Sequence, residues 1–195
     1  MNGVRRAAGV LCLLLCARDA SAGDRFVAAF AGATAGTETG FIDLDGAASK
    51  RKPAVGIAAG WWSDRWFGVE GELTLLPAFF ESDGGLVVSS RVIAANGNVL
   101  LSPWRSGRFQ PYATLGAGVL SVQISDVADV FRIDTNLPAI NAGAGVIASA
   151  GARFAVRGDV RYFRSRFDEL PAAAPALGAR FLHHWRISAG IVVRY

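Results

Sequence analysis

Val156-Arg157-Gly158-Asp159-Val160-Arg161-Tyr162 alternates without a break, with charge at the odd positions and an apolar residue or glycine at the even ones. Successive side chains of a strand point to opposite sides, so this segment has one charged face and one greasy face. The same period recurs in Val69-Glu70-Gly71-Glu72-Leu73-Thr74-Leu75, in Ile93-Ala94-Ala95-Asn96-Gly97-Asn98-Val99, and from Trp185 to Tyr195. Phe26 to Thr34, Val55 to Trp62, Phe109 to Val122 and Ala139 to Ser149 are weaker but strand-like, which brings the expected number of strands to eight.

The connections alternate in length. Long, acidic or glycine- and proline-bearing stretches separate Thr34 from Val55 and run from Leu76 to Leu86, Gln123 to Pro138 and Arg164 to Phe181. Ser63-Asp64-Arg65, Ser102 to Arg108 and Ala150 to Arg153 are short turns. Long loops at one end and short turns at the other predict an all-β fold, an eight-stranded antiparallel up-and-down transmembrane β-barrel. Composition agrees: of 195 residues 52% are hydrophobic and only 18% charged, which excludes a disordered chain. Beyond residue 22 no run approaches the roughly 20 apolar residues of a membrane helix, so a helical membrane protein is excluded as well.

Residues 1–22 read as a secretory signal. Arg5 and Arg6 precede an apolar centre from Ala7 to Ala17, and Ala20-Ser21-Ala22 offers a small-residue cleavage site, leaving 23–195 as the barrel domain. Both cysteines, Cys12 and Cys16, fall inside that signal, so the mature chain is expected to hold no disulfide. Its removal takes the basic and acidic residues from 20 and 16 to 17 and 15, and the net charge from +4 to +2. Nucleic-acid binding loses its electrostatic support.

Two barrels fit eight alternating strands, a soluble one with a greasy interior and a membrane one with a greasy exterior. The faces opposite the apolar ones are themselves poor in charge on several strands, with Gly116, Gly118, Gly143 and Gly145 among them, and a soluble barrel would have too little polar surface. The aromatic residues add a second reason. Phe26, Trp61, Trp62, Trp66, Phe67, Trp104, Phe109, Phe154 and Tyr195 fall at the short-turn ends of strands, and Tyr162, Phe163, Phe181 and Trp185 near the other rim. Rings with one wet edge favour membrane interfaces, and Trp61, Trp66, Trp104, Tyr162, Trp185 and Tyr195 are the candidate interface aromatics.

The last strand, with Ile187, Ala189, Ile191 and Val193 on the face of the terminal Tyr195, resembles the C-terminal strand of bacterial outer-membrane proteins, which the barrel-insertion machinery reads. Phenylalanine is usual there, and tyrosine departs from it. Gln110 to Gly118 and Val156 to Phe163 resemble strands of small barrels of the OmpA/OmpX and opacity-protein type. The resemblance spans residues 23–195 and implies residence in the bacterial outer membrane. Adhesins, structural proteins, small pores and a few enzymes share this architecture, so it leaves the function open.

With apolar faces outward, the lumen receives Glu70, Glu72, Arg157, Asp159, Arg161 and Arg186, together with Asn96, Asn98, Thr114 and Asn141. Strand three faces strand seven across so narrow a barrel, and arginine can fork two hydrogen bonds to one carboxylate. Glu70 and Glu72 are therefore expected to reach Arg157 and Arg161, with Arg186 alongside Asp159. Such a cluster either plugs the barrel or, in the alternative, gates a narrow porin-like pore.

Other motifs carry less. Gly143-Ala144-Gly145-Val146-Ile147-Ala148 matches a dinucleotide fingerprint only by its letters, since no helix follows. Arg157-Gly158-Asp159 spells an integrin-type tripeptide but should face the lumen. His183 and His184 are expected at the rim, and Ser188 lies about 13 Å along the strand from His184, too far for a Ser-His pair of a membrane lipid hydrolase. Ser49-Lys50-Arg51-Lys52 and Arg164-Ser165-Arg166 are candidate contacts for lipopolysaccharide phosphates. Asp126, Asp129 and Asp134 lack calcium-loop spacing. The expectation is a monomeric, non-enzymatic, cofactor-free barrel in outer-membrane lipid, acting structurally or through its long extracellular loops.

Overall fold

A computed structural model describes residues 23–39, 51–63, 66–77, 87–104, 107–126, 132–166 and 181–195. The predicted signal segment and its cysteines lie outside these residues. Eight strands follow in chain order: β1 (Gly23–Thr39), β2 (Lys52–Ser63), β3 (Phe67–Pro77), β4 (Val87–Leu101), β5 (Phe109–Asp126), β6 (Arg132–Ser149), β7 (Phe154–Arg166) and β8 (Phe181–Arg194). Each pairs antiparallel with the next, and β1 pairs with β8, with Phe26 opposite Arg194 and Thr34 opposite Arg186, so the sheet closes with no free edge.

The outward faces show why these residues make this solid. On β5 every second residue from Phe109 to Val119 is apolar and exposed, and the next outward residue is Ser121. On β6 the outward row runs from Pro138 to Ala148 below Asn136, on β7 from Phe154 to Tyr162 below Arg164, and on β8 from Trp185 to Tyr195 below His183. Each window is about 9 to 11 residues long, the length a tilted strand needs to cross a bilayer. Polar outward residues mark its upper limit on adjacent strands, so the greasy band is continuous around the barrel.

Inside, the lumen is layered. One buried apolar cluster, including Leu76, Val92, Leu120, Leu137 and Leu182, fills the end toward the long connections. A second, including Phe26, Phe30, Trp62, Leu100, Tyr112 and Ile147, fills the end toward the short turns. This corrects the assignment of Phe26, Trp62 and Phe163 to the interfaces: all three face the lumen and are almost wholly buried. Strand parity decides it. Trp61 and Trp62 are neighbours in sequence, so they must leave opposite faces of β2.

The long connection expected from Gln123 to Pro138 is mostly strand. Gln123 pairs with Asp134, Ile124 with Ile133 and Ser125 with Arg132, which leaves only 127–131 to join β5 and β6. An antiparallel pair needs no lipid to continue its hydrogen-bond ladder, and the polar-apolar alternation Ser121-Val122-Gln123-Ile124-Ser125 extends past the greasy window. At the other end, Gly107 takes φ 75° in the β4–β5 turn, a left-handed conformation that suits glycine.

A charge placed in the middle of the outer band tests the orientation. Leu115→Arg, at a site 64% exposed on the outer surface, should lower the unfolding free energy in lipid vesicles by roughly 2–4 kcal/mol, and Ser121→Arg by about 0–1 kcal/mol. Denaturant titration followed by tryptophan fluorescence reads both. Equal effects would mean that the band does not lie in lipid.

Candidate functional site: an ionic belt across the lumen

Glu70 and Glu72 leave the inner face of β3, Arg157, Asp159 and Arg161 that of β7, and Arg186 that of β8. The alternation quoted first puts the three β7 charges on one face, and the narrow barrel lets an arginine span it. All six side chains are buried, Arg161 completely.

Glu70 stands between two arginines of one strand. Arg157 donates from Nη1 to its Oε2, and Arg161 from Nη2 to its Oε1 at 2.9 Å. Asn98 adds a hydrogen bond to Oε1 at 3.1 Å and itself accepts one from Asn141 at 2.9 Å. Glu72 stands between two strands. Arg186 forks onto it with bonds of 2.7 and 2.9 Å, and Arg161 Nη1 lies 3.0 Å from Oε2. Arg161 and Arg186 are direct partners in the β7–β8 register, and like charges facing each other across a ladder repel. Glu72, with the shorter bonds to both, and Asp159, whose Oδ1 lies 3.4 Å from Arg161 and 3.8 Å from Arg186, make that pair tolerable.

Asp159 completes the belt. Arg157 Nε donates to its Oδ2 at 2.9 Å, Tyr112 to the same oxygen at 3.1 Å, and Ser188 to Oδ1 at 3.0 Å. Arg186 lies alongside Asp159, its Nη2 3.8 Å from Oδ1, and makes its shorter bonds to Glu72, which the sequence did not pair with it. The register explains the longer contact: Asp159 faces Ser188, one inward position away from Arg186. The Arg186 guanidinium also lies between two rings, 4.7 Å from the centre of Phe30 and 5.1 Å from that of Phe163.

Room for these long side chains comes from glycines in the wall. A Cβ on Gly143 would meet Arg161 Cγ at 2.8 Å, and one on Gly116 would meet Asn98 Oδ1 at 1.9 Å. Tyr112, Thr74, Ser188, Phe30 and Phe163 were missing from the expected cluster. Their strand parity would have put them in the lumen, but neither phenols nor rings stand out in a search for charge.

Asn96, Asn98, Thr114 and Asn141 also face inward and are buried. Of the aromatic candidates, Trp66, Trp104 and Tyr195 are exposed beside the short turns, where Trp61 packs edge-on against Phe67 at 5.7 Å. Tyr162 and Trp185 pack 5.0 Å apart on the outer face near the opposite rim. His184 is not exposed at the rim as expected; it is buried and stacks on Phe163 at 5.0 Å, because its parity is that of Arg186. Ser188 is engaged with Asp159. Lys52 likewise faces inward and is buried, which removes it from the basic segment assigned to phosphate contact, whereas Arg51 and Arg164 are exposed. Ser49, Lys50 and Asp129 lie outside the described residues, as do the side chains of Asp126, Asp134, Arg166 and Phe181. Among the described residues no group of three or more His, Cys, Asp or Glu side chains is suited to hold a metal ion.

A family model described as the outer membrane protein beta-barrel domain matches residues 8–190. The chain belongs to this outer-membrane β-barrel family. No curated protein sequence matches it. Its fold is similar to that of Neisserial surface protein A, with a TM-score of 0.66 at 12% identity over 91% of this chain and 100% of that one. The outer membrane protein OprG from Pseudomonas aeruginosa gives 0.60 at 16% identity, over 89% and 96%. Ail, the attachment invasion locus protein of Yersinia pestis, in complex with the heparin analogue sucrose octasulfate, gives 0.53 at 15%, over 90% and 100%. Family membership and fold together place this barrel in the bacterial outer membrane, with the greasy band outward and the ionic belt within.

Removing one member of a buried ionic set leaves its partners charged and unpaired. Glu72→Gln keeps the shape but exposes Arg161 and Arg186 to each other, and should destabilise the refolded barrel by about 3–5 kcal/mol in a denaturant titration. A loss below about 1 kcal/mol would be the signature of a solvated surface pair instead.

Proposed function

We propose that this family member is a non-catalytic barrel, closed to solutes, which serves the outer membrane structurally and meets its surroundings through the segments joining strands at the long-connection end. One observation supports the closed lumen: buried apolar clusters flank the ionic belt on both sides, and the belt's charged side chains are paired with one another across the barrel. A conducting barrel has a polar, water-filled interior. Here an ion would have to cross greasy layers and part buried pairs such as Arg186–Glu72.

The surface role draws on the placement of the connections. Residues 40–51, 78–86, 127–131 and 167–180 all join strands at one end, whereas the other end has short turns. Loops on a rigid scaffold are where contact specificity is generally built. The same fold carries an attachment role in the Yersinia pestis protein, by that protein's name.

Single-channel recording of the refolded chain in planar bilayers should show no current steps for the native protein or for Glu72→Ala. Reproducible steps from the native protein would replace the closed barrel with a gated pore. Cells displaying a barrel with 40–50 and 167–180 cut to short turns should bind fewer polysaccharide and matrix surfaces than cells displaying the full chain. Equal binding, with heat-modifiable gel mobility retained, would remove the loops from the proposal.

A further inference from the structure

The outer face is not equally smooth. On β1 the outward row above Val27 is Ala29, Ala31, Ala33 and Ala35; β2 beside it carries Val55 and Ile57, and β3 beyond that carries Leu73 and Leu75. Starting from Ala29, the one residue of that row that lines it, an open trough of about 600 Å³ runs across the outer face from β1 to β4, and its lining is apolar apart from Thr74 in the floor and Arg91 at one end. The floor is thin at Gly56, where the Phe30 ring lies so close from the lumen side that a Cβ would meet it at 2.4 Å.

Arg91 sits two residues above Ile93 on the same outward row of β4, opposite Pro77, and is exposed. It is the first charged residue above the greasy window of that strand. An arginine in hydrocarbon is costly near the midplane and tolerated at the interface, so this position is at headgroup depth. None of the described carboxylates pairs with it. A second exposed arginine at this end, Arg164, has a different setting: below it Tyr162 and Trp185 cover the outer face with packed rings.

We propose that this trough holds one acyl chain of lipopolysaccharide, with the Arg91 guanidinium on a phosphate of the same lipid A. The trough lies in the half of the band nearer the long connections, hence in the outer leaflet, where lipid A supplies acyl chains and phosphates together. Shape holds the chain and charge holds the headgroup: a guanidinium forks two hydrogen bonds onto phosphate oxygens at this depth. The site is on the lipid-facing surface and is independent of whether the lumen conducts.

The full chain, refolded without lipopolysaccharide into phosphatidylcholine nanodiscs, is titrated with purified lipid A or with phosphatidylglycerol, and bound lipid is read by native mass spectrometry. One lipid A should bind in preference to phosphatidylglycerol. Arg91→Gln removes the phosphate contact and Ala29→Trp fills the trough from its outward side; each should weaken that binding by about tenfold or more. Arg164→Gln should leave it unchanged, and heat-modifiable mobility checks that each variant is folded. Equal lipid A binding by native protein and Arg91→Gln would overturn the proposal. So would equal binding of phosphatidylglycerol, or an equal loss in Arg164→Gln, since either would make the attraction one of general charge.

Discussion

Glu72 is the constraint around which the interior is arranged. Arg161 and Arg186 face each other across the β7–β8 ladder, and the Glu72 carboxylate reaching over from β3, with Asp159 beside it, keeps two buried cations on neighbouring strands compatible. Glu70 does the same between Arg157 and Arg161. Acids from one wall are thus interleaved with bases from the opposite wall. Three carboxylates against three guanidinium groups leave the belt neutral, which a low-dielectric interior favours.

The belt adds to specificity more surely than to stability. A buried ion pair is often no better than a well-packed apolar one, because desolvation offsets the attraction. A strand slipped by one residue is another matter. It would turn Arg157, Asp159 and Arg161 toward lipid, at a cost of roughly 2–4 kcal/mol for each arginine near the midplane, and bring the valines into the lumen. Charge on one face and valine on the other therefore select a single register for β7. The apolar clusters on either side of the belt lower the dielectric around it, which strengthens its pairs.

Eight strands, their order and the inward direction of all six charges were legible because alternation is a local property that the barrel only has to respect. Interior geometry was less so. Arg186 lies alongside Asp159 of the neighbouring strand, but its shorter bonds to Glu72 were not legible, because a long side chain in a narrow lumen reaches across it as easily as along the wall. Phe26, Trp62, Phe163 and His184 were assigned to the rims because rings near strand ends suit interfaces; their parity, which outranks residue type, places them inside. The upper β5–β6 hairpin read as loop because its residues turn polar, although the ladder continues where the lipid stops.

Function follows from where each kind of surface is placed. The greasy exterior holds the molecule in the outer membrane, the ionic belt and the apolar clusters on either side of it fill the interior, and the longer connections join strands at one end, beyond both. The most direct test of this arrangement is a carbon–nitrogen dephasing measurement by solid-state NMR on protein in lipid bilayers, with glutamate carboxylates and arginine guanidinium nitrogens labelled. The ionic belt predicts strong dephasing of Glu72 Cδ by the Arg186 nitrogens, abolished in Arg186→Gln. A Glu72 carboxylate with no guanidinium partner would contradict it.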